Sequence, residues 1–178
     1  MTLNARVFAA LFHIFACLFL DFLEISNGVQ SDIDCLKSIK HSLEDPYGYL
    51  NTSWNFSQNT EGIICKFTGV ECWHPDENKV LNLRLSDMGF RGEFPRGIKN
   101  CTSLTGLDLS SNKLSGPLPF DIEWSVPFDH NHLTGEIPPE LGHLVRMKQF
   151  SVANNMLSGI VPYFGPNVSI TADSFVTT

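Results

Sequence analysis

Between Leu83 and Pro162 one pattern of apolar and polar positions recurs four times: "LRLSDMGFRGEFP", "LDLSSNKLSGPLP", "VPFDHNHLTGEIP" and "FSVANNMLSGIVP", starting at Leu83, Leu107, Val126 and Phe150. Each segment opens with two apolar residues one apart: Leu83 and Leu85, Leu107 and Leu109, Val126 and Phe128, Phe150 and Val152. That two-residue period predicts a short strand with one buried face. Glycines follow at Gly92, Gly116, Gly135 and Gly159, spaced 24, 19 and 24 residues apart, and prolines at Pro95, Pro119, Pro138 and Pro162. Asn112, Asn131 and Asn155 occupy the turn after the strand; the first segment has Met88 there. A side-chain amide donates and accepts, so stacked asparagines satisfy a bend that has no regular ladder. One such unit cannot bury its apolar face alone, but stacked units can, which predicts a solenoid.

L-x-L-x-x-N at this period is the leucine-rich repeat signature. The expected fold class is an α/β solenoid, with a short parallel sheet on its concave face and an N-terminal helical and hairpin cap. The expected organisation is a signal peptide over residues 1–28, a cap over 29–79, about four repeats over 80–163 and an irregular tail over 164–178. In the cap, "SDIDCLKSIKHSLEDP" predicts a helix with Ser31 or Asp32 as N-cap. Ile33, Leu36, Ile39 or Lys40, and Leu43 form its mostly apolar face, and Asp45-Pro46 ends it. "SWNFSQNTEGIICKFTGVECW" predicts a loop and a short hairpin. The third repeat is five residues short and carries Pro127 where a central strand needs a backbone donor; Glu123 falls where Leu104 and Met147 supply an apolar residue in other repeats. A local kink with Trp124 poorly buried is expected there. After Pro162 the period stops, so Phe150, Val152 and Leu157 are expected to end the array uncovered, which invites fraying or self-association.

Composition narrows the setting. Arg6 followed by the apolar run Val7–Leu23, with Ser26 and Gly28 at the small positions, reads as a cleaved secretory signal. The product is then expected to be secreted and extracellular. A net charge of −7 argues against nucleic-acid or anionic-membrane binding. Cys35, Cys65, Cys72 and Cys101 remain after cleavage, an even number in an oxidising compartment. Cys65 and Cys72 are expected to pair across the cap hairpin rather than hold a metal with His74 and Asp76. Cys35 and Cys101 either pair or leave Cys101 as a small buried apolar residue. Sequons at Asn51, Asn55, Asn100 and Asn167 are candidate glycosylation sites.

Variable strand positions of such a repeat face the concave surface. Arg84, Trp124 and His130 are the candidate anchors of a partner-binding strip, with Asp108, Asp129, Lys148 and Gln149 beside them; the bland alternative is an ordinary solvated sheet. His130, His132 and His143 lie near Asp129 and Glu140 in sequence, but their repeat positions do not converge. No phosphate loop or nucleophile motif occurs, so no enzyme activity, cofactor or metal is expected.

"CKFTGVECW", "ENKVLNLRLSDMGFRGEFP", "NCTSLTGLDLSSNKLSGPLP" and "FSVANNMLSG…VP…TADSF" resemble plant leucine-rich repeat receptor-like kinases. The chain most resembles the small pseudokinase subfamily whose ectodomains interact with somatic-embryogenesis-type co-receptor kinases. The resemblance covers most of Asp32–Phe175. It implies a plasma-membrane-anchored protein with a cap, about five repeats, a membrane span and a catalytically impaired kinase domain. It also implies an ectodomain that binds the co-receptor ectodomain and damps immune and growth signalling. This sequence departs from the pattern in having no later span, no kinase region, no C-terminal cysteine pair and only four repeats. Within the family, "LPxDI" and "DHNxxTGxIP" belong to different repeats, so the short repeat implies an in-frame loss joined near Glu123–Val126. The expected function is a secreted, non-catalytic, truncated ectodomain that binds other receptor ectodomains. The alternatives are a polygalacturonase-inhibitor type of secreted protein or a non-functional truncated gene product.

Overall fold

The computed structural model describes residues 30–57, 60–122, 126–144 and 147–172. The expected signal peptide and Trp124 lie outside the described residues. The cap begins with helix α1 over residues 30–42, followed by α2 (Tyr49–Ser53). Strands β1 (Val70–Cys72), β2 (Val80–Arg84) and β4 (Gly106–Asp108) form a three-stranded sheet, antiparallel at β1–β2 and parallel at β2–β4. A second, wholly parallel sheet runs β3 (Arg91–Glu93), β5 (Lys113–Pro117), β6 (His132–Glu136) and β8 (Met156–Ser158). Strand β7 (Gln149–Ser151) pairs in parallel with β9 (Ser169–Thr171). Short 3-10 helices at Arg96–Asn100 and Pro139–His143 return the chain along the outer arc.

One core runs the length of the stack. The alternating strand residues Leu83, Leu85, Leu107, Leu109, Val126, Phe128, Phe150 and Val152 are all buried in it. Phe90, Leu114 and Leu133 meet them from the second sheet, and Ile98 and Leu141 from the 3-10 turns. The asparagine ladder lies between the sheets. Asn112 Nδ2 donates to the Leu85 and Leu109 carbonyls, Asn131 Nδ2 to Leu109 and Phe128, and Asn155 Nδ2 to Phe128 and Val152. Their Oδ1 atoms accept from the backbone N–H of Phe90, Leu114 and Leu133. The residue before each ladder position, namely Asp87, Ser111, His130 and Asn154, has a φ of 56°. These four therefore sit on a left-handed turn beyond the strand, a conformation that costs a non-glycine residue about 1 kcal/mol or more. This corrects the placement of His130 as a concave strand residue.

The short repeat disturbs one sheet and spares the other. In the concave sheet, Leu85 N–H donates to the Asp108 carbonyl and Phe128 N–H to the Ser151 carbonyl. Among the described residues the equivalent bond from Leu109 N–H to Pro127 is not made; only Ser111 N–H reaches across, to the Asp129 carbonyl at 2.8 Å. Pro127 keeps an isolated bridge to Ser151 and has no N–H to offer toward β4. In the second sheet, partners lie 22 residues apart at Gly92↔Leu114 and at Gly135↔Leu157, and 17 apart at Gly116↔Leu133. The five missing residues thus leave no register shift there. The shortening falls before Val126, outside the second sheet and its ladder, and connecting segments tolerate such length changes.

Both ends of the array differ from expectation. At the N-terminal end, α1 is already helical at Gln30, and Asp32 is buried inside it rather than capping it. Its carboxylate accepts from Val80 N–H at 2.8 Å and Ser103 N–H at 3.5 Å, tying the cap helix to β2 and to the second repeat. Asp45 does not simply end a helix; its carboxylate caps α2 by accepting from the N–H groups of Tyr49, Leu50 and Asn51. Disulfides join Cys35 to Cys101 and Cys65 to Cys72. The second does not cross a hairpin: it links the 3-10 turn Ile63–Lys66 to β1, and the hairpin is β1–β2. Gly69 lies close to the β2 backbone, where a Cβ would stand 2.4 Å from the Arg84 carbonyl oxygen, so only glycine fits.

At the C-terminal end, the described part of the tail contains one strand, β9, at Ser169–Thr171. Phe150 and Ile170 are opposite each other in the β7–β9 ladder, and Val152 N–H donates to the Thr171 carbonyl. Phe164 stacks on Phe150 with ring centroids 4.7 Å apart. Phe150 and Val152 are consequently buried, while Leu157 stays half-buried. An apolar strand pair at a solenoid end needs a cover, and residues 164–171 supply one without a further repeat.

Burial raises the Asp32 carboxyl above the usual carboxylate range, against the opposing pull of its bonds to the Val80 and Ser103 backbone. A carboxyl raised in the folded state binds more protons folded than unfolded between its two pKa values. Its contribution to stability is therefore fullest below about pH 3.9 and falls as pH rises through the folded value. Asp32→Asn keeps an acceptor for Val80 and removes this slope. Urea unfolding across that pH range is expected to show wild type losing stability relative to Asp32→Asn as pH rises; parallel curves would contradict it.

Candidate partner-binding face

The concave face is built from the outward residues of β1, β2, β4, the Pro127 segment, β7 and β9. Hairpin pairing sets Glu71 beside Asn82. Arg84 Nη2 and Asn82 Nδ2 each donate to Glu71 Oε2 at 3.0 Å. The Arg84 side chain is 71% exposed and that of Glu71 45%, so the pair is a solvent-facing polar cluster of little worth to stability. Glu71 was missed from sequence because only the β1–β2 register, set by the cap, brings it to Arg84.

Two of the predicted carboxylates have internal partners. Asp108 Oδ1 accepts from Ser110 N–H at 3.0 Å and from the Ser110 hydroxyl at 2.7 Å, a local turn. Asp129 Oδ1 accepts from the Ser151 hydroxyl at 2.5 Å and from Ala153 N–H at 2.9 Å. Those bonds join the third repeat to the fourth, on the side of Pro127 where the backbone ladder is kept. His130 is exposed on its left-handed turn, with Nε2 3.3 Å from Asn154 Nδ2. Lys148 and Gln149 are exposed at β7. The predicted strip therefore divides: Arg84 joins Glu71 and Asn82 at the cap, His130 lies beside Asn154 beyond the strands, and Lys148 and Gln149 stand at the start of β7.

The remaining histidines do not join it. His132 lies on the outer face of β6 and His143 at the end of a 3-10 turn. Among the described residues no group of His, Cys, Asp or Glu is arranged to hold a metal ion. No helix among them is long and apolar enough to cross a membrane. The sequon residues Asn51, Asn55, Asn100 and Asn167 are all exposed.

Residues 29–73 match the leucine rich repeat N-terminal domain family and residues 103–124 the leucine rich repeat family. Among curated proteins, the inactive LRR receptor-like serine/threonine-protein kinase BIR2 of Arabidopsis thaliana is 48% identical over 99 residues, 56% of this chain and 16% of BIR2. Another leucine-rich repeat receptor-like protein kinase of that plant is 47% identical over 127 residues, 71% of this chain and 20% of the relative. The chain thus spans about a fifth or less of these relatives. The crystal structure of the BIR2 ectodomain superposes with a TM-score of 0.70 at 44% identity, covering 74% of this chain and 71% of that one. A chain of the Arabidopsis BIR3–SERK2 complex superposes with a TM-score of 0.71 at 34% identity, covering 79% and 80%. On these likenesses the chain belongs to the plant leucine-rich repeat receptor-like kinases and corresponds to their repeat ectodomain.

Proposed function

We propose that this chain is an extracellular, non-catalytic binding module for the ectodomain of a leucine-rich repeat co-receptor kinase. The observation that carries the reading is its likeness, at 34% identity over most of both chains, to a chain of the BIR3–SERK2 complex. The exposed Arg84, His130, Lys148 and Gln149 supply the polar contacts in this reading, and Arg is a residue type enriched among interface hot spots. Asp108 and Asp129 shape the face rather than touch the partner. Two cystine bridges and exposed sequons support secretion, and the signal read at residues 1–28 supplies the route.

Surface plasmon resonance against the SERK2 ectodomain tests this. Binding is expected, with Arg84→Glu and Lys148→Glu together weakening it by about tenfold or more, the scale of lost charge-assisted contacts. No binding to SERK2, binding untouched by that pair, or binding to a polygalacturonase instead would each overturn the proposal.

A further inference from the structure

The outer face of the second sheet carries two cations that form no ion pair among the described residues. Arg91 and Lys113 are directly opposite each other on β3 and β5, and His132 is opposite Ser115 on β6. All four flank the buried residues Phe90, Leu114 and Leu133, so they share the outward face. With Glu44 they line one open hollow. Among the described residues neither Arg91 nor Lys113 forms an ion pair. Like charges directly opposite on neighbouring strands destabilise a sheet. The chain has 19 acidic residues against 12 Lys and Arg, yet among the described residues none lies within ion-pair distance of this pair.

Two further features lie next to the chain segment that carries Arg91. The Tyr47 ring lies against Gly89, two residues before Arg91, where a Cβ would come within 2.5 Å of it. Tyr47 is 69% exposed, and Tyr49 meets it edge-on at 6.1 Å between centroids. The Glu44 backbone pairs with Arg91 in both directions, which sets this exposed residue in the lining of the hollow.

We propose that Arg91, Lys113, Ser115, Glu44 and Tyr47 form a binding site for a carboxylate-bearing oligosaccharide. The guanidinium and ammonium groups take the carboxylates in charge-assisted hydrogen bonds. The Tyr47 ring offers a flat apolar face to a sugar ring, with its hydroxyl at the wet edge. Glu44 accepts from sugar hydroxyls, whereas an acidic peptide brings it only further negative charge. The face is polar and lysine-bearing, unlike the core of a protein–protein interface. It lies on the second sheet, apart from the concave strip of the co-receptor reading.

Fluorescence anisotropy with a labelled oligogalacturonate tests the site. Binding is expected to weaken with added salt, as exposed charge contacts do. Arg91→Gln with Lys113→Gln is expected to weaken it about tenfold or more, and so is full methyl esterification of the probe. Tyr47→Ala is expected to weaken it several-fold. The Gln pair should melt no lower than wild type, because it relieves repulsion, and should leave SERK2 binding unchanged. Equal binding of the esterified probe, or no loss in the Gln pair, overturns the proposal. Poly-glutamate bound as tightly as the saccharide assigns the face to acidic peptides and overturns it as well.

Discussion

Phe164→Ala is expected to unfasten the C-terminal end of the solenoid. Phe164 is 5% exposed and stacks on the fully buried Phe150. Truncating a buried phenylalanine costs about 3–5 kcal/mol, including any loss of ring stacking. A repeat array loses stability unit by unit, so the damage is local at first. The β9 strand is expected to detach, and Val152 N–H, which donates to Thr171, loses its protection from hydrogen exchange. Amides of β2 and of the cap stay protected. Phe150 then faces water, and sedimentation is expected to show self-association. A variant that melts with wild type and keeps Val152 protected would show that the tail is not the cap.

Asn131→Ala is expected to be nearly as damaging, and its effect lies in the middle. Asn131 Oδ1 is the acceptor for the buried Leu114 N–H at 3.0 Å. Its Nδ2 reaches the Leu109 and Phe128 carbonyls, which keep Asn112 and Asn155 as their other donors. The principal loss is therefore one orphaned buried N–H plus two bonds, together about 3 kcal/mol. The repeat it serves is the one whose concave strand is already interrupted at Pro127, so beside the core the β5–β6 ladder and the Ser111–Asp129 bond are what remain to join the halves. Asn131→Asp should not rescue, since a carboxylate accepts from Leu114 but faces two carbonyls with no donor. Asn155→Ala, at a half-buried rung near the end, is expected to cost less. Urea unfolding of the three variants checks the order; equal stability of Asn131→Ala and wild type would contradict it.

The two largest corrections come from the ends of the chain. The tail "YFGPNVSITADSF" has no repeat period, so its pattern gave no reason to expect a strand. Ser169–Thr171 within it form one because Phe150 and Val152 are already lined up as a template, and because Phe164 reaches Phe150 across 14 residues of sequence. Asp32 looked like a helix cap because Asp favours that position. Its real partners, Val80 and Ser103, are 48 and 71 residues away, beyond any local rule. The candidate site was legible to a similar degree. Arg84, Lys148 and Gln149 are outward and exposed as their strand positions require, whereas Asp108 is taken up by Ser110 two residues on, and Asp129 by Ser151 and Ala153, which only the neighbouring coil brings near.

By itself the sequence determined the repeat. Period, alternating apolar pairs and turn asparagines are local properties, and each repeat states them again, so agreement among four copies outweighs any one irregularity. It also located the weak point at Pro127, because a proline lacks its N–H in every fold. The tertiary structure alone decided what meets across coils: which sheet the five-residue loss would break, which cysteines pair, what covers the last coil, and that Arg91 stands opposite Lys113. Those are contacts between residues far apart in the chain, set by stacking register and by the approach of side chains from separate coils, and no single repeat contains them.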